Sequence, residues 1–189
     1  MGEGASLEQQ LVAGRACGSC NVCCVALTID EPALRKAQGY RCRNAKPDNS
    51  CAIYDRRPET CRSFHCGWRL LRWVRDTLRP DLSDVLVRLC QEPDLQGGMA
   101  YSVVFTLLTP AGLQAEGLAE SVAAAVAAKI PTFLVVPGRP GFTAAQARIN
   151  EMLEDVVRAR DKAGLLALLR EAHALGENGP RVRVRLRGK

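Results

Sequence analysis

The amino-acid sequence predicts an α+β fold in two unlike parts. An irregular, metal-stabilised cysteine-rich region covers residues 1–80. A small α/β layer of three to four strands and three helices follows over 81–189 and packs on it. Two observations carry this. Eight of the nine cysteines lie between Cys17 and Cys66, in a stretch with little hydrophobic periodicity, so that stretch has metal rather than a core to fold around. From about residue 84, β-branched apolar runs alternate with helical patterns bounded by capping residues, the signature of mixed strands and helices. The apolar content of 47% permits a core. Aromatic residues make up only 5%, so Ala, Leu and Val must fill most of it.

Taken in order, Ser6 and Gln9 have capping-box spacing and predict a short helix before the cysteines. Asp30-Glu31-Pro32 predicts a helix start, running from Ala33 to Gln38 and stopped by Gly39. Lys46-Pro47-Asp48-Asn49-Ser50 is a turn signal. Trp68 to Leu78 is amphipathic, with Leu71, Val74 and Leu78 on one face and Arg69, Arg72, Arg75 and Arg79 on another, which predicts a helix broken at Arg79-Pro80. Asp84–Leu89 and Tyr101–Leu108 read as strands, Leu118–Ile130 as an Ala-rich helix and Thr132–Val136 as a third strand. Thr143, with Gln146 three residues on, predicts the cap of a helix buried through Ile149, Met152, Leu153, Val156 and Val157. Asp161 predicts the N-cap of a last helix ending at Gly176. The tail R-V-R-V-R-L-R alternates strictly. It predicts either an edge strand with Val182, Val184 and Leu186 facing inward, or a basic arm for an acidic partner.

The chemistry sits in the cysteines. C17-G-S-C20-N-V-C23-C24 places three thiols at C-x2-C-x2-C spacing with a fourth adjacent, and Cys42, Cys51, Cys61 and Cys66 follow. One tight turn at that spacing aims two or three sulfurs at one point, as zinc knuckles and iron–sulfur loops do. All eight are therefore candidate metal ligands. Eight thiols allow two four-thiolate sites, or one cluster with spare ligands. The first run is like the bacterial ferredoxin C-x2-C-x2-C, which favours an iron–sulfur cluster there, although the ferredoxin's Cys-Pro is missing. Cys61 and Cys66, with four residues between them, offer the second knuckle of a zinc site instead. Disulfides fit poorly, because nine is odd and the adjacent Cys23 and Cys24 make a strained pair. His65 alternates away from Cys66 in an extended chain, His173 reads as a surface or cap residue and Cys90 as an inert buried thiol. Tyr54 and Phe64 are expected to shield the sulfurs from water, and Arg57 and Arg62 to hydrogen-bond thiolates or loop carbonyls.

The C-x-x-C-x-x-C-C opening, the lone Cys42, the block C51-A-I-Y-D-R-R-P-E-T-C61-R and the following F64-H-C66 together resemble the CxxCxxCC cysteine-cluster family. The resemblance covers roughly residues 15–90 and includes Ile53, Tyr54, Arg57, Pro58, Arg62 and Phe64; Cys90 lies outside it. It implies a zinc- or iron-chelating domain. A cysteine cluster of this kind also occurs in flagellin lysine methylases.

The formal net charge is +6. Between Arg41 and Arg79 stand ten Lys or Arg against four acids, an excess suited to neutralising a metal-thiolate centre, whose four thiolates and divalent ion carry about −2. These features point to a non-catalytic metal carrier, sensor or adaptor. One alternative is an iron–sulfur-dependent redox or protein-methylating enzyme, although there is no G-x-G-x-x-G loop and no evident acid/base pair. The other is a structural zinc module on a nucleic-acid-binding protein, which would need aromatics interleaved with the arginines. Residues 1–10 lack the basic and apolar regions of a signal peptide, and the longest apolar run, Val122–Ala128, is too short for a membrane span. The expected compartment is the cytoplasm. M-G-E-G-A-S matches a loose myristoylation pattern, read here as an irregular start.

Overall fold

The structure, a computed structural model, describes residues 11–93 and 99–187. The capping box at Ser6–Gln9 and the M-G-E-G-A-S match lie outside the described residues. The fold is α+β. A four-stranded mixed sheet carries the larger part, and a two-stranded hairpin lies among the cysteines.

The cysteine region is built from short pieces: α1 (Val22–Ala26), β1 (Ile29–Glu31), β2 (Leu34–Lys36) and α2 (Glu59–Ser63). β1 and β2 pair antiparallel, with Glu31 opposite Leu34, so Pro32-Ala33 forms a two-residue turn. The helix predicted over 33–38 is therefore a strand. Its apolar signal has a period of two: Leu34 and Lys36 are buried, with Arg35 between them only half-buried. The Lys36 ammonium donates to the carbonyls of Val25, Leu27 and Ala37, which satisfies a buried charge from inside the hairpin.

The predicted helix over 68–78 is also replaced. α3 (Gly67–Leu70) lasts one turn, a 3-10 turn covers Asp76–Leu78, and α4 (Pro80–Ser83) follows. Arg15 supplies the reason. Its guanidinium reaches across to the carbonyls of Trp68, Leu71 and Val74 and is 9% exposed. Carbonyls bound to a guanidinium leave the helical ladder, and the chain turns around that cation. Trp68 Nε1 closes the turn by donating to Asp76 O at 3.0 Å.

The sheet has the order β3 (Val85–Pro93), β4 (Met99–Leu107), β5 (Thr132–Val136) and β6 (Ala145–Arg148). β3 and β4 form an antiparallel hairpin, and β4 and β5 are parallel, joined by α5 (Leu118–Ala127). α5 stops three residues short of the predicted Ile130. Lys129 adopts φ 57° and Ile130 N–H returns to Ala125 O, a left-handed C-terminal closure. Thr143 caps no helix. β6 pairs antiparallel with β5, and α6 (Asn150–Arg158) begins only after it, with Asn150 bonding Thr132 N and Ile130 O. Asp161 does cap α7 (Lys162–Glu177), accepting from Gly164 N at 2.9 Å.

The core gathers Val85, Val87, Val103, Phe105, Leu107 and Leu134 from one sheet face with Leu118, Val122, Ile149, Leu153, Leu165 and Leu169 from the helices. Trp68, Val74 and Leu78 belong to the same cluster, so residues on both sides of position 80 share one core. A smaller cluster of Ile29, Leu34 and Cys42 lies under the cysteines. Gln38 O accepts from Gly141 N at 2.9 Å, and Gln38 Nε2 donates to Phe142 O, which joins the two parts.

The tail is not a regular strand. It makes a single bridge, Phe142 to Arg183. Val182 is exposed while Val184 and Leu186 are half-buried, and Arg181 turns inward onto the Gly176 and Val136 carbonyls. Among the described residues, no helix is long and apolar enough to cross a membrane.

Candidate metal centre

All nine cysteines are free thiols. The first four sit on a turn that runs into α1. Cys20 N donates to Cys17 O and Cys24 N to Asn21 O, both at 2.8 Å. The positive φ of Gly18, 53°, lets the chain reverse between Cys17 and Cys20. Two members of the predicted arginine stripe grip this turn. Arg69 donates to Arg15 O and approaches Cys17 Sγ at 3.8 Å. Arg79 donates to Cys17 O at 3.1 Å and pairs with Asp81. Arg72 and Arg75 take no part in it.

Cys42 is buried against Ile29 and Leu34, with Cys24 and Cys61 packed beside it. Cys42 N donates to Cys24 O at 3.0 Å, Ala45 N to Cys42 O, and Ala45 bridges to Cys51. Cys61 is carried by α2, whose Thr60 N–H and hydroxyl are both held by the Glu31 carboxylate of the hairpin. Cys66 opens α3 and packs on the main core. Cys90 stands apart in β3, opposite Ser102.

The thiols differ in how readily they ionise. The Cys23 thiol donates to Cys24 sulfur, which raises Cys23 and lowers Cys24 to about 6; Lys36, Arg57 and Arg41 help hold Cys24 down. Burial pushes Cys20 up to about 11 and raises Cys61 and Cys66 as well. Burial also lowers Lys36, against the opposing pull of Cys42, Cys24, Cys23 and Cys61. A thiophilic ion would reverse the cost at the raised thiols, since it binds the thiolate.

Among the described residues, no three His, Cys, Asp or Glu side chains stand close enough together to hold an ion. The eight sulfurs are neighbours rather than a closed shell. The donor chemistry fits zinc or an iron–sulfur cluster: thiolate precursors, partly dry, with Lys36, Arg41, Arg57 and Arg69 nearby to offset negative charge. The residues expected to shield the sulfurs behave unequally. Phe64 is half-buried, whereas Tyr54 is 61% exposed and carries the Arg57 guanidinium 3.7 Å from its ring centre. Arg57 also donates to Tyr54 O, and Arg62 pairs with Glu59. His65 lies 3.4 Å from Arg69 Nη1.

Two residues escaped the sequence reading. Arg15 has no periodic signal, and only the fold reveals its three carbonyl partners. His173 is buried, at 5% exposure, beside Glu177 and a cleft of about 480 Å³ at the ends of β4 and β5; it is not a surface residue. No cysteine lines that cleft.

Comparison of the chain with protein-family models, curated proteins and solved structures found no match.

Proposed function

We propose that this protein binds a thiophilic metal, zinc or an iron–sulfur cluster, through Cys17, Cys20, Cys23, Cys24, Cys42, Cys51, Cys61 and Cys66. We read its role as a non-catalytic carrier, sensor or adaptor. The observation that carries this reading is convergence. Cysteines up to forty-nine positions apart in sequence lie around one short helix and hairpin as free thiols, with Lys36, Arg41 and Arg57 beside Cys24. Free thiols packed this densely serve no packing need that Val or Ala would not meet, and clustered thiolates call for a compensating ion. The resemblance to the CxxCxxCC family supports the same chemistry. When bound, the metal would cross-link segments that share little apolar core. The residues' own part is to supply thiolates, with Lys36 and the arginines offsetting their charge.

The test is anaerobic purification followed by metal analysis and a visible spectrum. Bound metal is expected, with a coloured protein indicating iron–sulfur and a colourless one zinc. Cys20→Ser and Cys61→Ser should each lower metal content and open part of residues 15–65 to protease. A wild-type protein that stays metal-free after anaerobic reconstitution with zinc, and with iron and sulfide, would refute the reading.

A further inference from the structure

We propose that the eight thiols divide into two separate four-thiolate centres, Cys17·Cys20·Cys23·Cys66 and Cys24·Cys42·Cys51·Cys61, each taking one thiophilic ion or cluster. This rests on the metal-binding reading and concerns how that site is divided.

The dividing line falls between two consecutive residues, and α1 explains why. Cys23 and Cys24 are consecutive on α1, about 100° apart around its axis, and the hydrogen bond from the Cys23 thiol to the Cys24 sulfur marks where the two sets meet. Cys20 precedes α1, on the turn that its N–H closes onto Cys17 O. The backbone then links each set within itself. In the first, Cys20 N–H bonds Cys17 O, while Arg69 receives both ends: its N–H bonds Cys66 O at 2.9 Å and its guanidinium approaches Cys17 Sγ. In the second, Cys42 N–H bonds Cys24 O, Ala45 N–H bonds Cys42 O, and Ala45 bridges Cys51.

Packing draws the same line. Cys66 rests on the main core, whereas Cys24 and Cys61 pack on Cys42 in the smaller cluster. Electrostatic neighbours follow it too: Cys61 feels Cys24, Cys42 and Cys51, whereas Cys66 feels Cys17. Cys23 feels Cys17 and Cys20, as well as Cys24 where the sets meet. Four thiolates are the full complement of a closed zinc site or of one cubane cluster, and a single ion has no place for eight. Two such centres would bring the formal net charge from +6 to about +2, so the basic excess around them has a use.

Titration of reduced, metal-free full-length protein with cobalt(II) tests this, because tetrahedral thiolate–cobalt has intense visible bands. Wild type should saturate at two cobalt per chain. Cys61→Ser and Cys66→Ser should each retain one tetrahedral site. Protease should then open 42–62 in the first variant and 15–20 in the second. Cys51→Ser and Cys17→Ser repeat the comparison at a second member of each set, in case either first variant fails to fold. Saturation of wild type at one cobalt, or loss of both sites in either member of a pair, would overturn the division and leave metal binding standing. No cobalt binding by wild type would overturn both.

Discussion

At the residue scale, Arg15 shows how one buried cation shapes a backbone. Its three carbonyl acceptors lie on a segment that would otherwise close helical hydrogen bonds. Its ion pair with Asp76, at 2.6 Å, adds little because the Asp76 side chain is 85% exposed. Replacing Arg15 with Met keeps much of the volume but strands the carbonyls. Arg15→Met should lower stability by about 3 kcal/mol in urea melts, at about 1–3 kcal/mol per unsatisfied buried group after partial relaxation. Arg15→Lys should recover only part of this, since an ammonium lacks the planar fork that serves three acceptors. Equal stability of all three proteins would show that water replaces the guanidinium. A second outcome concerns the thiols. In metal-free protein the Cys23 hydrogen bond holds Cys24 near 6, below its ordinary value of 9.0, while burial holds Cys20 near 11. A depressed thiol is ionised above its own pKa. Cys24 should therefore be alkylated by iodoacetamide at pH 7, at a rate that falls as pH drops through about 6. Cys20 should stay slow until strongly alkaline pH. Peptide mapping of the labelled sites checks this, and preferential labelling of Cys20 at pH 7 would contradict it.

At the element scale, the elements read correctly are those whose signal is local. The strand Thr132–Val136 and the Asp161 cap of α7 match the sequence reading, and β3 and β4 differ from it only at their ends. The misread elements take their conformation from partners that the helical reading of the sequence did not include. Leu34–Lys36 became a strand because Lys36 has three carbonyls to bind. Trp68–Leu78 broke because Arg15, more than fifty residues earlier, claims its carbonyls. Ala145–Arg148 pairs with β5 despite a fair capping box at Thr143, whose hydroxyl instead accepts from Val182 N. The clustering of the cysteines was legible in their spacing, whereas which thiols lie side by side was not, because α1 and the Cys42–Cys24 backbone bond are products of folding. Gly67 illustrates a further contact hidden from sequence. A β-carbon there would lie 2.6 Å from Val87 Cγ1, so α3 sits directly on β3. Gly67→Ala should cost about 1–3 kcal/mol through overpacking, despite the better helix propensity of Ala. A gain in thermal stability would mean that α3 lifts off without penalty.

At the scale of the whole molecule, the two parts rest on different foundations. The sheet and its helices bury twenty hydrophobic residues in one cluster, which includes Trp68, Val74 and Leu78. The cysteine region has three, Ile29, Leu34 and Cys42. Three buried side chains over some forty residues of loops and short elements are a sparse core beside the twenty under the sheet. Metal ligation at the thiols would make up the difference. Trp68, Val74 and Leu78, packed in the main core, tie residues 67–80 to the sheet without any thiol. Removing metal with a chelator under reducing conditions should therefore release residues 17–62 alone. Hydrogen exchange should show amides of α1, the hairpin and α2 losing protection, while those of Val103, Phe105, Val122, Leu134 and Leu169 keep theirs, and Trp68 fluorescence should stay that of a buried ring. Loss of protection across both parts would mean that the sheet's core depends on the cysteine region. The most telling place to look would then be the junction where Gln38 meets Gly141 and Phe142.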